Sequence, residues 1–183
     1  MRLVPNRAIL ATAAFVLTAG IAAAQGLSEP GGAAPTPNSP TTDRVTAAIV
    51  ARELRAMGLP ADVVADRGGE PRIDTTVDNF KWSIFFYGCQ KEGELEQRTC
   101  LSLQFFSGYS MTTPVSALTT NKFNAENRYT RTYTATTAQG HAARIAMDVM
   151  FANTGANPAR LFRAAFTMMK HQATEFRKLI NFN

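Results

Sequence analysis

The sequence predicts an α+β domain, an antiparallel β-sheet packed with helices. Three observations predict it. An apolar stripe at helical spacing opens the structured part of the chain, several runs alternate apolar and polar residues, and a long Phe- and Met-bearing helix closes it. The chain has 183 residues, 45% hydrophobic and 18% charged, enough for one domain with a real core.

The structured part is expected over residues 43–183. Its first helix is "TTDRVTAAIVARELRAMGLP", where Thr42 or Asp43 is expected to accept from the free N–H groups of the first turn. Ala47, Val50, Leu54 and Met57 form its stripe. Gly58 suits a left-handed C-terminus and Pro60 prevents continuation. A short hairpin comes next, with Val63-Val64 and Arg72-Ile73-Asp74 flanking the turn residues Asp66-Arg67-Gly68-Gly69. "NFKWSIFFYGC" and "TCLSLQFFSGYS" are the strongest strands. Phe80, Trp82, Ile84 and Phe86 share one face of the first, and Leu101, Leu103 and Phe105 one face of the second.

"TTPVSALTTNKFNAENR" predicts a second helix, with Pro114 in its first position and Leu118 and Phe123 as apolar anchors. "YTRTYTATTAQGHAARIAMDVMF" predicts a hairpin turning at Gly140, with Ile145, Met147, Val149 and Phe151 on its buried face. In the last helix Asn157 caps and Pro158 starts. Phe162, Phe166, Met169, Phe176 and Ile180 make its stripe, which fits core packing better than a ligand groove.

The first 24 residues carry Arg2 and Arg7, then an uncharged run from Ala8 that ends in Ala22-Ala23-Ala24. Basic start, apolar middle and small-residue end predict a signal peptide over 1–24, with an uncleaved anchor as the alternative. Residues 25–42, rich in Pro, Gly, Ala, Ser and Thr, predict a disordered linker. Loss of residues 1–24 removes two arginines and no acid, bringing the formal charge from +5 to +3. That charge is mild, and no nucleic acid is expected as a partner.

Cys89 and Cys100 are the only cysteines, with ten residues between them. A zinc site commonly uses closer pairs and about four ligands, and a thioredoxin-type centre uses C-x-x-C at a helix start, so no metal is expected. These cysteines lie at a strand end and a strand start. If the two strands pair as a hairpin centred between Gly93 and Leu95, Cys89 falls opposite Cys100, within disulfide reach. A structural disulfide is the reading, with a redox-active pair as the alternative. His141 and His171 read as surface residues, the latter able to pair with Glu175. No G-x-S-x-G, H-E-x-x-H or phosphate-binding glycine loop is present, and no cofactor is expected.

"NRYTRTY" is the most suggestive surface. Arg128, Thr130, Thr132 and Thr134 share one face, and Tyr129, Arg131 and Tyr133 the other. The tyrosines can meet the core with their hydroxyls at the rim. Alternatively, Arg128, Tyr129, Arg131 and Tyr133 serve as partner-binding residues, since Tyr and Arg are favoured interface anchors. Arg160, Arg163, Lys170, Arg177 and Lys178 give the last helix a basic bias, either a solvated face or a contact for an acidic partner.

Two stretches carry a resemblance. "FFYGC", followed by a second cysteine and an aromatic strand, and "NKFNAENRYTRTY", an Asn-rich helix end running into an aromatic, arginine-bearing strand, resemble the YbjN family of bacterial proteins. With the long last helix, the resemblance spans residues 45–181. That family is described as sensory-transduction regulators, and its fold is similar to that of type III secretion chaperones, small α+β proteins that bind other polypeptides. It has no agreed catalytic residues, so none carries over. The family's cytoplasmic regulators lack an export signal, which this chain has. The expected protein is therefore periplasmic or secreted and non-catalytic, a binding or regulatory module with a polypeptide partner. The resemblance also implies that a homodimer can form. The alternatives are a small-molecule or envelope-component binder, using a pocket between sheet and last helix, and a thiol oxidoreductase.

Overall fold

The computed structural model describes residues 44–182; the expected signal peptide and linker lie outside the described residues. Two-residue alternation of apolar and polar side chains builds most of the domain. Six strands form one antiparallel sheet: β2 (Asp62–Ala65), β3 (Pro71–Val77), β4 (Phe80–Tyr87), β6 (Ser102–Met111), β7 (Arg131–Thr137) and β8 (Gly140–Met150), in the order β2-β3-β4-β6-β8-β7. A second, two-stranded sheet joins β1 (Val45–Thr46) to β5 (Thr99–Cys100), with Val45 opposite Cys100. Three α-helices complete the described chain: α1 (Ala47–Ala56), α2 (Ala117–Glu126) and α3 (Pro158–Leu179). The expected α+β class is thus observed.

The inner face of the sheet carries rows of apolar side chains. Ile73, Ile84, Phe105 and Met147 stand side by side across four strands, and Leu103 beside Val149 and Phe86 extends the layer. α3 covers this layer with Phe162, Phe166, Met169, Ala173 and Phe176, as its stripe predicted. The rings interlock: Phe162 stacks on Phe105 at 5.7 Å between centroids, and Phe166 tilts against Trp82 at 5.8 Å. This packing fills the space where the ligand-groove reading would place a pocket. α1 adds Ala47, Val50, Ala51 and Leu54. α2 closes the β7 side with Phe123, whose ring meets Phe176 at 5.1 Å.

Local chemistry sets the helix ends. α1 is capped by Thr46, whose Oγ1 accepts from Ile49 N–H at 3.2 Å. Thr42 and Asp43, the expected caps, lie outside the described residues; Val45 and Thr46 pair with β5, and the helix begins after them. Met57 follows α1's last turn and is exposed, so it leaves the stripe. Gly58 takes φ +76° and Leu59 N–H returns to Leu54 O, a Schellman end as anticipated. α3 ends the same way with Asn181 at φ +53° and Phe182 N–H on Arg177 O, which tucks Phe182 against Tyr109.

α2 departs from expectation. Ser116, accepting from Thr119 N–H at 3.1 Å, is its cap, so Pro114 lies before the helix and not at its first position. Leu118 is 78% exposed; Thr120 and Phe123 take the buried face. The second strand also starts late: Leu101 stands outside β6 and is exposed, because its carbonyl turns to accept Phe151 and Ala152 N–H groups. The β3–β4 hairpin is an element that the sequence pattern did not reveal. Asp78 and Asn79, both at positive φ, make its two-residue turn.

The cysteines are joined. Tyr87 lies opposite Ser102, and carrying that register two residues further sets Cys89 opposite Cys100, as the hairpin argument required. Gln90 N–H on Thr99 O and Leu101 N–H on Tyr87 O flank the bond. Gly88 is needed beside it: its φ is +63°, and a Cβ there would meet Leu101 Cδ1 at 2.9 Å. The loop that the disulfide closes is anchored. Its single 3₁₀ turn, Leu95–Gln97, packs against α1 and β2, and Arg98 Nη1 donates to Gly69 O at 2.9 Å.

Ellman's reagent added to denatured, unreduced protein should find no free thiol; two free thiols would overturn the pairing. Replacing both cysteines with alanine should lower stability by about 2.8 kcal/mol, the chain entropy of a loop this size. Urea denaturation of the two forms measures it.

Candidate functional site

All three helices pack on the inner face, which leaves the outer face of the sheet without a covering layer among the described residues. Pairing across strands assembles that face from residues far apart in sequence. Arg72, Phe85, Gln104 and Asp148 form one row, and Asp74, Ser83, Phe106, Ala146 and Arg131 the next. Gly108, Arg144 and Tyr133 form a third. Tyr87, Ser102 and Met150 lie at one end, with Met150 60% exposed.

Two of its three arginines are paired with carboxylates and one is not. Arg72 Nη2 meets Asp74 Oδ2 at 2.7 Å, and Ser83 donates to the other Asp74 oxygen at 2.9 Å. Arg131 binds Asp148, which also accepts Gln104 Nε2 at 2.6 Å. Burial works to raise the Asp148 carboxyl. The hydrogen bonds from Arg131 and Gln104 outweigh it and hold the carboxyl below the usual carboxylate range. The Asp148 bond correspondingly raises Arg131. Burial, and then the Asp148 charge, push the Tyr87 hydroxyl up. Arg144 is the remainder. Its Cζ lies 5.9 Å from the Phe106 centroid and 6.0 Å from that of Tyr133. Phe106 in turn meets Phe85 edge-on at 6.2 Å.

The structure reverses the expected orientation of "NRYTRTY". Thr130 and Thr132 face the core and the tyrosines face solvent. The reason is a polar seam. Thr130 Oγ1 donates to Gln172 of α3 at 2.5 Å, and Thr132 Oγ1 to Asn124 Oδ1 at 3.0 Å, so threonine hydroxyls find buried partners there. Of the four candidate partner-binding residues, Arg131 and Tyr133 lie together on β7's outer side. Arg128 and Tyr129 lie in the α2–β7 connection, exposed and off the sheet. Missing from the candidates were Phe85, Phe106, Arg144 and Asp148. The signal available was the strand period, which turns these residues away from the core; strand order, which brings them together, was not readable.

Thr132 has a second bond of interest. Its N–H donates to Asn124 Oδ1 at 2.7 Å, and Asn124 Nδ2 donates to Thr132 O at 3.0 Å. One side-chain amide thus occupies both ladder positions of Thr132 on the free side of β7.

The basic residues of α3 are mostly engaged within the domain. Arg163 binds Glu53, Lys170 meets Asp78 at 2.9 Å and Lys178 meets Glu175 at 2.8 Å. Arg177 lies 3.8 Å above the Phe80 ring. Glu175 is therefore not His171's partner; Lys178 takes it. Glu53, near-buried, is held below the usual carboxylate range chiefly by its Arg163 hydrogen bond. Cys100 is fully buried on a strand. Among the described residues, no His, Cys, Asp and Glu cluster has the form of a metal site, and no helix is long and apolar enough to cross a membrane.

What the fold defines is an α+β domain with one helical layer and one bare sheet face. No family model, curated protein or solved structure matches the chain.

Two measurements test the site. In the Asn124→Ala variant the Thr132 amide loses its acceptor, worth about 1–3 kcal/mol when a buried donor is stranded; its hydrogen exchange should accelerate on the order of tenfold or more. For Asp148 the folded pKa is depressed, so its contribution to stability is present above the unfolded value of about 3.9 and is lost as pH falls through the folded value. Urea midpoints of wild type and Asp148→Asn should therefore differ at pH 6 and converge as pH falls through the folded value. A difference that persists unchanged in acid would contradict the assignment.

Proposed function

We propose that this chain is an exported, non-catalytic binding module of the YbjN type, engaging a polypeptide in the cell envelope through the outer face of its sheet. The observation that carries this reading is the face itself, where Tyr87, Tyr133 and Met150 are exposed with half-buried Phe85 and Phe106 beside them. An antiparallel sheet commonly leaves one face to solvent, but that face is then polar. A cluster of aromatic and Met side chains rimmed by charged pairs is instead the composition of a protein interface. Compartment is argued from the intramolecular disulfide, which persists in an oxidising environment, together with the signal-like first 24 residues. The sequence resemblance to a family of chaperone-like fold favours a polypeptide over a small ligand.

The site defines its own test. A photo-crosslinking amino acid at Met150, on the outer face, should yield discrete adducts with an envelope polypeptide when irradiated in cells, with the partner identified by mass spectrometry. The same group at Leu118, exposed on α2, should not. Identical adduct patterns from both positions, or none from Met150, would refute the reading. An adduct with a second copy of the chain would make the face a homodimer interface.

A further inference from the structure

The outer face holds three arginines, and they are not alike. Arg72 is paired with Asp74 and Arg131 with Asp148. Arg144 is held only by the rings of Phe106 and Tyr133, at 5.9 and 6.0 Å, with no hydrogen-bond acceptor or carboxylate on it among the described residues. It is half-buried, so its charge is partly desolvated. A guanidinium has five N–H donors in a rigid fork that matches a carboxylate. Here the fork lies beside two rings and its donors are unspent.

Its neighbours along β8 and directly across on β6 are small. Gly108 stands directly opposite Arg144, and Ala142 and Ala146 are its same-face neighbours along β8. Phe106 and Tyr133 are the large side chains beside it. The two carboxylates beside the aromatic patch are committed elsewhere, Asp74 to Arg72 and Ser83 and Asp148 to Arg131 and Gln104, while Asp62, opposite Asp74, lies on the far edge strand β2. The centre of the aromatic patch therefore presents an uncompensated positive charge.

Building on the polypeptide reading above, we infer that Arg144 is the specificity anchor of the outer face and receives an acidic side chain flanked by apolar residues in the partner polypeptide. The carboxylate would take the fork of Arg144, and the flanking apolar groups would lie on Phe106, Phe85 and Tyr133. Charge complementarity selects this occupant: a wholly apolar segment would leave the cation buried without a partner, and a basic segment would be repelled.

Two blocked peptides, acetyl-Ser-Phe-Glu-Phe-Ser-amide and its Gln counterpart, titrated into the full chain, test the inference. Calorimetry gives the affinities, and the Arg144 Nε–Hε resonance reports the site. The Glu peptide should bind at least tenfold more tightly and shift that resonance. Arg144→Gln should abolish the preference, while Arg160→Gln, on α3, should leave it intact. Equal binding of the two peptides would overturn the role of Arg144 but leave a polypeptide partner standing. Binding of 3-phenylpropanoate at Arg144 with neither peptide bound would overturn both. Binding of neither peptide nor 3-phenylpropanoate would overturn the inference. So would a homodimer that dissociates on Arg144→Gln, which would assign the face to a second copy.

Discussion

The ring packing of α3 across the sheet is the contact on which the rest of the domain depends. Phe162 and Phe166 reach Phe105 and Trp82, residues from the two central strands β6 and β4. That contact fixes which sheet face is inside, and so the orientation of every strand's alternate residues. It also locates the smaller elements. α1 sits beside α3, bound through Glu53 and Arg163, and α2 sits on its other flank through Phe123 and Phe176. With all helices on one side, the outer surface is whatever the other half of each strand supplies.

Charge is distributed in keeping with this one-sidedness. The last helix spends most of its cations on acids within the domain or on an aromatic ring, so its apparent basic bias leaves little free charge. The outer face spends two of its arginines in the same way and keeps one back. The distinction between paired and unpaired arginines here rests on what each guanidinium touches; residue type and exposure alone would group them together.

Much of the fold was legible in the sequence where burial and period agree. Trp82, between Lys81 and Ser83, or Ile145 and Met147, among Arg144, Ala146 and Asp148, leave no choice of face because their neighbours are polar or small. Legibility ended where both alternatives were amphipathic. In β7 the threonines face inward because Gln172 and Asn124 wait there, and those partners are 42 and 8 residues away in the chain. Thr42, Asp43 and Thr46 are equally good caps by type; Thr46 takes the role, and the helix follows the pairing of Val45 with Cys100, a long-range contact. The candidate site was half visible. Arg131 and Tyr133 were singled out, but Arg144 and Asp148 were hidden in a strand whose message is its buried half.

The paired bonds between Asn124 and Thr132 have a consequence for life in a crowded compartment. A sheet edge is a template on which another chain's strand can grow, and β7 is the edge next to the aromatic face. The Asn124 amide takes the place that an incoming strand would need, on an element that cannot extend into a sheet. At Thr132 the edge beside the aromatic face is thereby closed to strand addition, the step by which stacked sheets propagate into a fibre.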